Sequence, residues 1–443
     1  MRVVRAGRRM TDGRPPGLFG ARNPRFYFVG QVVSQVGTNM QIVALGWFTY
    51  QLSRDELVLG IVTAAPIFTM LLIGPVGGLV ADRFPARRVL LCTHALLALF
   101  ALALGLLAEH GSIAVWQLIV SALCVGAVNA IGLPTAQVFV SEIAGDAMLR
   151  QAVTLNNVIL DLSLIVGSAA VGPVMGMLGL GGVILLNAAS YLTVIVALLL
   201  VRPAELHTRR QAPKDRTQLW RAWVYLWARP GLALLIVIIA TVGVFGTSLP
   251  SLLLLLTSSE LNEEAGAYGV LLAVISVGSL LGAWMMWRTK VVLGTVLAGS
   301  VLLGVLEIVT SVMPTVVTLG LVLLPLGMVS LVLRAGLLSL AQLQTRPDYR
   351  GRVMAIFQLV YRSGWLLGTL LTSWLAGVLG PRPVIGLGGA GVTLGVTLII
   401  MIMVTFGVMS VSFTAARPPR LHVELPQPPE GRHRRRPRHA IAD

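Results

Sequence analysis

Twelve predominantly apolar stretches recur along the chain. Six lie at residues 26–51, 57–80, 89–108, 114–140, 151–177 and 180–201, and six follow a polar interval, at 231–256, 266–287, 292–312, 315–340, 353–379 and 384–412. Each reaches the ~20 residues that carry an α-helix across ~30 Å of hydrocarbon. A chain in hydrocarbon must pair every peptide group within itself, so runs of this length and composition are read as helices. The charged fraction is 12%, about half of the ~25% typical of soluble domains. The expected fold is an all-α membrane protein of twelve transmembrane helices in two six-helix halves, 26–201 and 231–412.

Net charge is +16, which in a soluble protein would point to nucleic acid. Its distribution points elsewhere. Thirty of the 34 Lys and Arg fall on one side of the predicted spans, in the basic tail 1–25, the linker 202–230, the tail 413–443 and alternate loops. Arg54 and Arg382 lie on the other side, and Arg334 and Arg362 lie within spans. This is the positive-inside pattern, and it places both termini in the cytoplasm. Nucleic acid is not needed to explain the charge; anionic lipid is the expected partner of the basic loops and tails. The last tail, with Pro418, Pro419 and a cluster around Arg434, reads as disordered. In the linker, Trp220, Trp223, Tyr225 and Trp227 alternate with Arg221 and Arg229, the pattern of an amphipathic helix at the headgroup level. Cys92 and Cys124 both sit in apolar runs, so no disulfide framework is implied. The first span is too long for a signal peptide, lacks a small-residue cleavage site and reads as an uncleaved helix.

Between the second and third spans the sequence runs Gly74-Pro-Val-Gly-Gly78-Leu-Val-Ala-Asp82-Arg83-Phe-Pro85-Ala86-Arg87-Arg88. One carboxylate and three guanidiniums thus join two apolar spans, the carboxylate placed to meet a helix N-terminus and the Arg side chains to reach lipid phosphates or helix C-termini. This resembles the loop between helices 2 and 3 of the major facilitator superfamily (MFS), with Gly78, Asp82, Arg83, Arg87 and Arg88 on its pattern; Pro85 replaces a Gly and Ala86 an Arg. Gly-x-x-x-Gly pairs at 74/78, 172/176, 278/282 and 364/368 recur every third span, with a further pair at 391/395, and such pairs let helix backbones approach closely. In the family these four helices form the contact between the halves. The runs Gly30–Thr38, Ser141–Asp146 with Leu155-Asn156-Asn157, and Asp348–Met354 look like the enterobactin-exporter and macrolide-efflux branch. The resemblance covers about residues 24–412 and implies proton-driven export of an amphipathic small molecule by alternating access in a bacterial inner membrane.

Scattered histidines such as His94, His110 and His207 give no zinc spacing, and no phosphate-cradling Gly-rich loop precedes a Lys. No enzymatic activity, cofactor or metal is expected, and energy would come from an ion gradient. Ionisable groups inside spans are the functional candidates, because their burial in a bilayer is costly. Asp161 lies close to the midplane of span 5, where a proton-coupling carboxyl is expected; a structural hydrogen bond to Ser163 is the competing reading. Glu307, in span 9, reads as structural or lipid-edge. Arg334 is placed near the cytoplasmic end of span 10, and Arg362, deeper, is a gate candidate facing Asp161 or the Asp82 loop. Gln31, Ser34, Gln35, Thr38 and Asn39 form a polar stripe on span 1. With Asn129 and Gln137 on span 4, Thr241, Thr247 and Ser248 on span 7 and Arg334 on span 10, they are the substrate-cavity candidates, since the resemblance implies that helices 1, 4, 7 and 10 line the cavity. Gly172, Pro173 and Gly176, with Gly167, resemble a displaced antiporter motif and suit a flexing helix 5. A small-molecule substrate, protons and a monomeric state are expected. Uptake of a specific solute, and a non-transporting receptor or assembly role, remain the alternatives.

Overall fold

The computed structural model describes residues 22–207, 218–288 and 292–405, with two short strands beyond them. The tail before residue 22, most of the tail beyond 405 and linker residues 208–217 lie outside the described residues.

Among those described, twelve long helices, numbered α1 to α12 in chain order, account for the apolar stretches. They begin with α1 (Arg22–Ser53), α2 (Glu56–Arg83) and α3 (Ala86–Glu109). Residues 115–200 run on as α4 (115–144), α5 (146–178) and α6 (180–200), broken at Gly145 (φ 62°, ψ 173°) and Gly179 (φ 68°, ψ −177°). That backbone region is essentially closed to side-chain-bearing residues, so glycine is what lets the chain reverse without a loop. After the linker come α7 (Pro230–Glu260), α8 (Ala265–Arg288), α9 (Leu293–Ser311), α10 (Val316–Gln344), α11 (Pro347–Leu379) and α12 (Pro381–Thr405). Helix α7 is interrupted at 246–248 and ends in a π turn, Leu256–Glu260.

Ten helical segments, counting Ala147–Leu200 as one, are long and apolar enough to cross a membrane; α1, richest in polar residues, is not among them. Their outward faces carry Leu72, Leu99, Leu321 and Leu394, each more than half exposed, as a lipid-facing surface does. The linker contains the expected amphipathic helix, Gln218–Trp227, with Ala222 and Leu226 buried and Trp220 and Trp227 exposed. One difference from the sequence reading concerns the tail, where Ser410–Thr414 and Arg420–Glu424 pair as an antiparallel hairpin. Alternation of Val411, Phe413, Leu421 and Val423 with polar residues is the period-2 signal that proline content had masked.

The helices before the linker pack mainly on one another, as do those after it. Small residues set the close approaches. A methyl group on Gly77 would overlap the Ala130 carbonyl of α4, one on Gly30 would strike Ala197 of α6, and one on Gly278 the Leu324 carbonyl of α10. The Gly-x-x-x-Gly pairs therefore do less between the two groups than expected. Gly278 and Gly282 face α10, Gly364 and Gly368 face α7, and Gly74, Gly78 and Gly176 face open space.

Contact between the groups is concentrated at the end away from the basic loops. Gly172 of α5 abuts Gly266 of α8, Gly60 of α2 meets Ser373 of α11, and Trp47 of α1 stacks on Tyr268 of α8 at 6.4 Å between ring centroids. Toward the basic end the groups part. Beyond the contact of Arg362 (α11) with Met70 (α2), a methyl group added to Gly74 or Gly78 would meet nothing within 4 Å. On α5, Val158, Leu160, Leu162 and Leu164 are all exposed, although they point to opposite helix faces.

Two outcomes follow from this packing. Gly77→Ala should lower stability by about 1–3 kcal/mol through overpacking, while Gly78→Ala should be neutral or slightly stabilising, as expected for an open helix position; thermal unfolding of both variants in detergent checks the contrast. Trp47→Ala should loosen the packed end by the ~0.5–1.5 kcal/mol of an aromatic pair, or about 2- to 12-fold in opening. A membrane-impermeant maleimide applied from that end should then label Ser168→Cys correspondingly faster, in a background where Cys92 and Cys124 are replaced.

Candidate functional site

Where the two groups part, three ionised side chains lie at similar height. Counting ~1.5 Å per helical residue from the basic end, Asp161 on α5 and Arg362 on α11 are ~22 Å deep and Arg334 on α10 is ~15 Å deep. Asp161 is half-buried and its charge partner is Arg334, across the opening from it. The two form no direct ion pair. Arg334 is exposed and does not reach the basic end, contrary to the depth assigned from sequence, because α10 continues to Gln344. Arg362 is half-buried; its guanidinium donates to the Met70 sulfur at 3.5 Å, so it faces α2 and not Asp161 or the Asp82 loop. Nearer the basic end, Arg150, Gln151, Thr154, Leu155 and Val158 of α5 border open space along one face of that helix.

The polar stripe of α1 is largely consumed within its own group. Thr38 donates to the Tyr191 hydroxyl of α6 at 3.1 Å, and Gln41, which the sequence reading missed, accepts from Asn187 of α6 at 2.6 Å. Ser34 is buried, and Gln31 is 8% exposed with its side-chain carbonyl unpartnered. Asn39 donates to the Gln35 backbone carbonyl and packs beside Gly167 of α5, leaving Gln35 and Asn39 half-exposed. On α4, Asn129 is half-exposed and Gln137 exposed. Two of the α7 candidates pack on neighbouring helices, Thr241 toward Gly395 of α12 and Ser248, buried and without a partner, against Gly368 of α11; Thr247 donates to the Gly243 carbonyl of its own helix. Glu307 is not at the lipid edge. It is 2% exposed, sealed beside Gly388 and Gly389 of α12, and neither carboxyl oxygen has a partner.

In the α2–α3 loop, Arg87 donates to the Leu198 and Leu199 carbonyls at 2.7 and 3.1 Å. A guanidinium thus caps the C-terminus of α6, one of the two roles read from the motif. Asp82 is half-buried, and Arg83 and Arg88 are exposed. Pro173 is exposed next to the close Gly172 contact. Among the described residues no cluster of His, Cys, Asp and Glu could hold a metal ion.

The linker ties both groups together at the basic end. His207 donates its backbone N–H to the Glu142 carbonyl of α4 at 2.8 Å, beside the Gly145 break. In the linker helix, Tyr225 stacks on Tyr349 of α11 at 4.4 Å with planes 1° apart, and its hydroxyl accepts from the Arg346 backbone. Arg229 lies over the Tyr225 ring and Arg352 is 5.7 Å from the Tyr349 ring. Among the residues sequence reasoning missed, Gln41 and Asn187 were visible as polar residues in apolar runs, whereas Trp47 and Tyr268 carry no signal that separates them from core aromatics.

Solved structures share this architecture at low identity. A POT family transporter bound to a thioalcohol-conjugated peptide superposes with a TM-score of 0.71 (14% identity, 88% of this chain and 98% of that one). A bacterial homologue of the human lysosomal transporter Spinster, inward-facing and unoccupied, gives 0.67 (13%, 85% and 94%). In sequence, the chain is 26% identical to the uncharacterized MFS-type transporter YfiS of Bacillus subtilis (strain 168), over 42% of this chain and 44% of that protein. It is 23% identical to the Staphyloferrin A transporter of Staphylococcus aureus (strain NCTC 8325 / PS 47), over 80% of this chain and 87% of that one. A family model described as transmembrane secretion effector matches residues 21–428. With that match spanning every helix and the fold of known transporters beneath it, the chain belongs to the transmembrane secretion effector family of MFS-type transporters and is not an enzyme.

Proposed function

We propose that this transporter is a proton-coupled exporter of amphipathic small molecules, drugs or siderophores, working by alternating access in a bacterial inner membrane. The observation that carries the reading is the asymmetry of the contact between helix groups, packed shut at Trp47–Tyr268 and Gly172–Gly266 and parted around Asp161 and Arg334. In this reading twelve helices cross the membrane in two six-helix halves, 26–201 and 231–412, and the basic loops, linker and both tails face the cytoplasm. The state described is then open to the cytoplasm, and a second state would close that end and open the other. The distant relation to a Staphyloferrin A transporter favours siderophore-like cargo.

Asp161 supplies the coupling. As a carboxylate it attracts Arg334 across the opening; a proton on a carboxyl oxygen removes that attraction, so proton binding and the approach of the halves are linked. The Asp82–Arg88 loop, fixed to α6 through Arg87, moves with the first half as a gate element. Half-exposed Gln35, Asn39 and Asn129 and exposed Gln137 supply polar contacts along an otherwise apolar path.

The deciding experiment is transport in proteoliposomes under an imposed pH gradient, following dyes, macrolides, tetracyclines and siderophores in both directions. Uphill, gradient-dependent movement out of the cytoplasmic-side compartment is expected, and uphill movement in the opposite sense alone would replace export by uptake. Asp161→Asn should reduce uphill movement to the level of protein-free vesicles at unchanged protein abundance; retained uphill export would remove Asp161 from the mechanism. Asp82→Asn should lower turnover severalfold with little change in dye affinity, and a defect confined to affinity would count against the gate.

A further inference from the structure

The ionised groups in the parted region do not balance. Among the described residues, acidic side chains in the middle of the long helices are Asp161 and Glu307, and Glu307 is sealed between helices, away from the opening. Asp161 answers Arg334. Arg362 is left with a thioether as its side-chain contact, and no described carboxylate pairs with it. A half-buried guanidinium carries five N–H donors in a planar fork, and a neutral sulfur satisfies little of that capacity. Its position is also particular. It bonds α2 at Met70, one turn before Gly74 and two before Gly78, where an added methyl group would meet nothing within 4 Å, so it lies where the two helices separate.

We infer that Arg362, supported by Arg334, is the anion-binding centre of the cleft and that the transported class is an amphipathic organic anion whose carboxylate docks on the Arg362 fork. The inference rests on the transporter reading above and narrows its substrate. The fork matches a carboxylate in bidentate geometry, and the exposed apolar residues Val158 and Leu162, which share one face of α5, offer surface for the rest of the molecule. Arg334, about 7 Å nearer the basic end, adds a second positive charge whenever Asp161 is protonated, so proton uptake and anion capture reinforce one another.

Two xanthene dyes of similar size and opposite charge provide the test: fluorescein as the anion and rhodamine 6G as the cation, their binding to the full chain in lipid nanodiscs read by fluorescence anisotropy at pH 8 and low salt. Fluorescein should bind at least about tenfold more tightly than rhodamine 6G, and Arg362→Gln should weaken it by about tenfold or more, the scale of a charged hydrogen-bonded contact. Arg362→Lys, which keeps the charge and loses the fork, should recover part of that loss, and Arg334→Gln should weaken fluorescein binding less than Arg362→Gln does. Equal or tighter binding of rhodamine 6G, no binding of fluorescein, or fluorescein binding indifferent to Arg362→Gln overturns the anion site. Rhodamine 6G moving in proteoliposomes while fluorescein does not would overturn the site and leave the transporter reading in place. Arg362-dependent binding of fluorescein without movement of any probe would uphold the site and sink the transport cycle proposed above.

Discussion

Hydrocarbon offers no water to an unpaired peptide group, and almost every local choice in this chain answers that constraint. Twelve helices close their own backbone bonds, and the chain reverses between α4, α5 and α6 at two glycines instead of spending residues on loops. Polar side chains inside the helices follow the same rule. Thr38 and Gln41 find Tyr191 and Asn187 on α6, while many Ser and Thr hydroxyls turn back to a carbonyl of their own helix, as Thr241, Thr247 and Ser330 do. Because lipid is as apolar as leucine, helix association depends on close approach and hydrogen bonds more than on burial. The glycines at Ala130, Ala197 and Leu324 are where that approach occurs.

Against that background, the groups left without partners stand out. Gln31, Ser248 and Glu307 are buried with unsatisfied polar atoms, and the side-chain hydrogen bond of Arg362 among the described residues is to the Met70 sulfur. Unsatisfied groups are costly in a low dielectric, and they are not confined to one region: Ser373 of α11, packed against Gly60 of α2 at the closed end, also lacks a partner. Other polar groups at that end are held. There, contacts are aromatic or backbone-to-backbone, Arg382 is held by Glu260 and by the Ser311 and Met313 carbonyls, and Tyr50 reaches Glu56 at 3.4 Å.

The fold was legible because its signal is long and redundant: twelve apolar runs, a one-sided charge distribution and the Asp82–Arg88 loop. The site was less so. Asp161 and the two arginines were identifiable as ionisable groups in apolar runs, but pairing depends on helix rotation, which periodicity over one helix leaves open. Hence Arg362 was offered two acidic neighbours, Asp161 and the Asp82 loop, and its side-chain hydrogen bond among the described residues goes instead to Met70 of α2. A polar stripe faces either a cavity or a neighbour, and that of α1 is divided: Thr38 bonds α6, Asn39 packs on α5, and Gln31 and Ser34 are buried. Gly-x-x-x-Gly spacing likewise marks close packing without naming the partner, and at Gly74 and Gly78 no partner is present in this state.

The linker is anchored on both sides, by His207 to the turn between α4 and α5 and by the Tyr225–Tyr349 stack to the start of α11. From His207 to Gln218 the covalent chain spans at most about 36–40 Å when fully drawn out. While both anchors hold, the basic ends of the two helix groups are therefore leashed, and the opposite ends carry no such cord. The separation of those two anchor points thus has an upper limit set by chain length, whatever the packing between the groups.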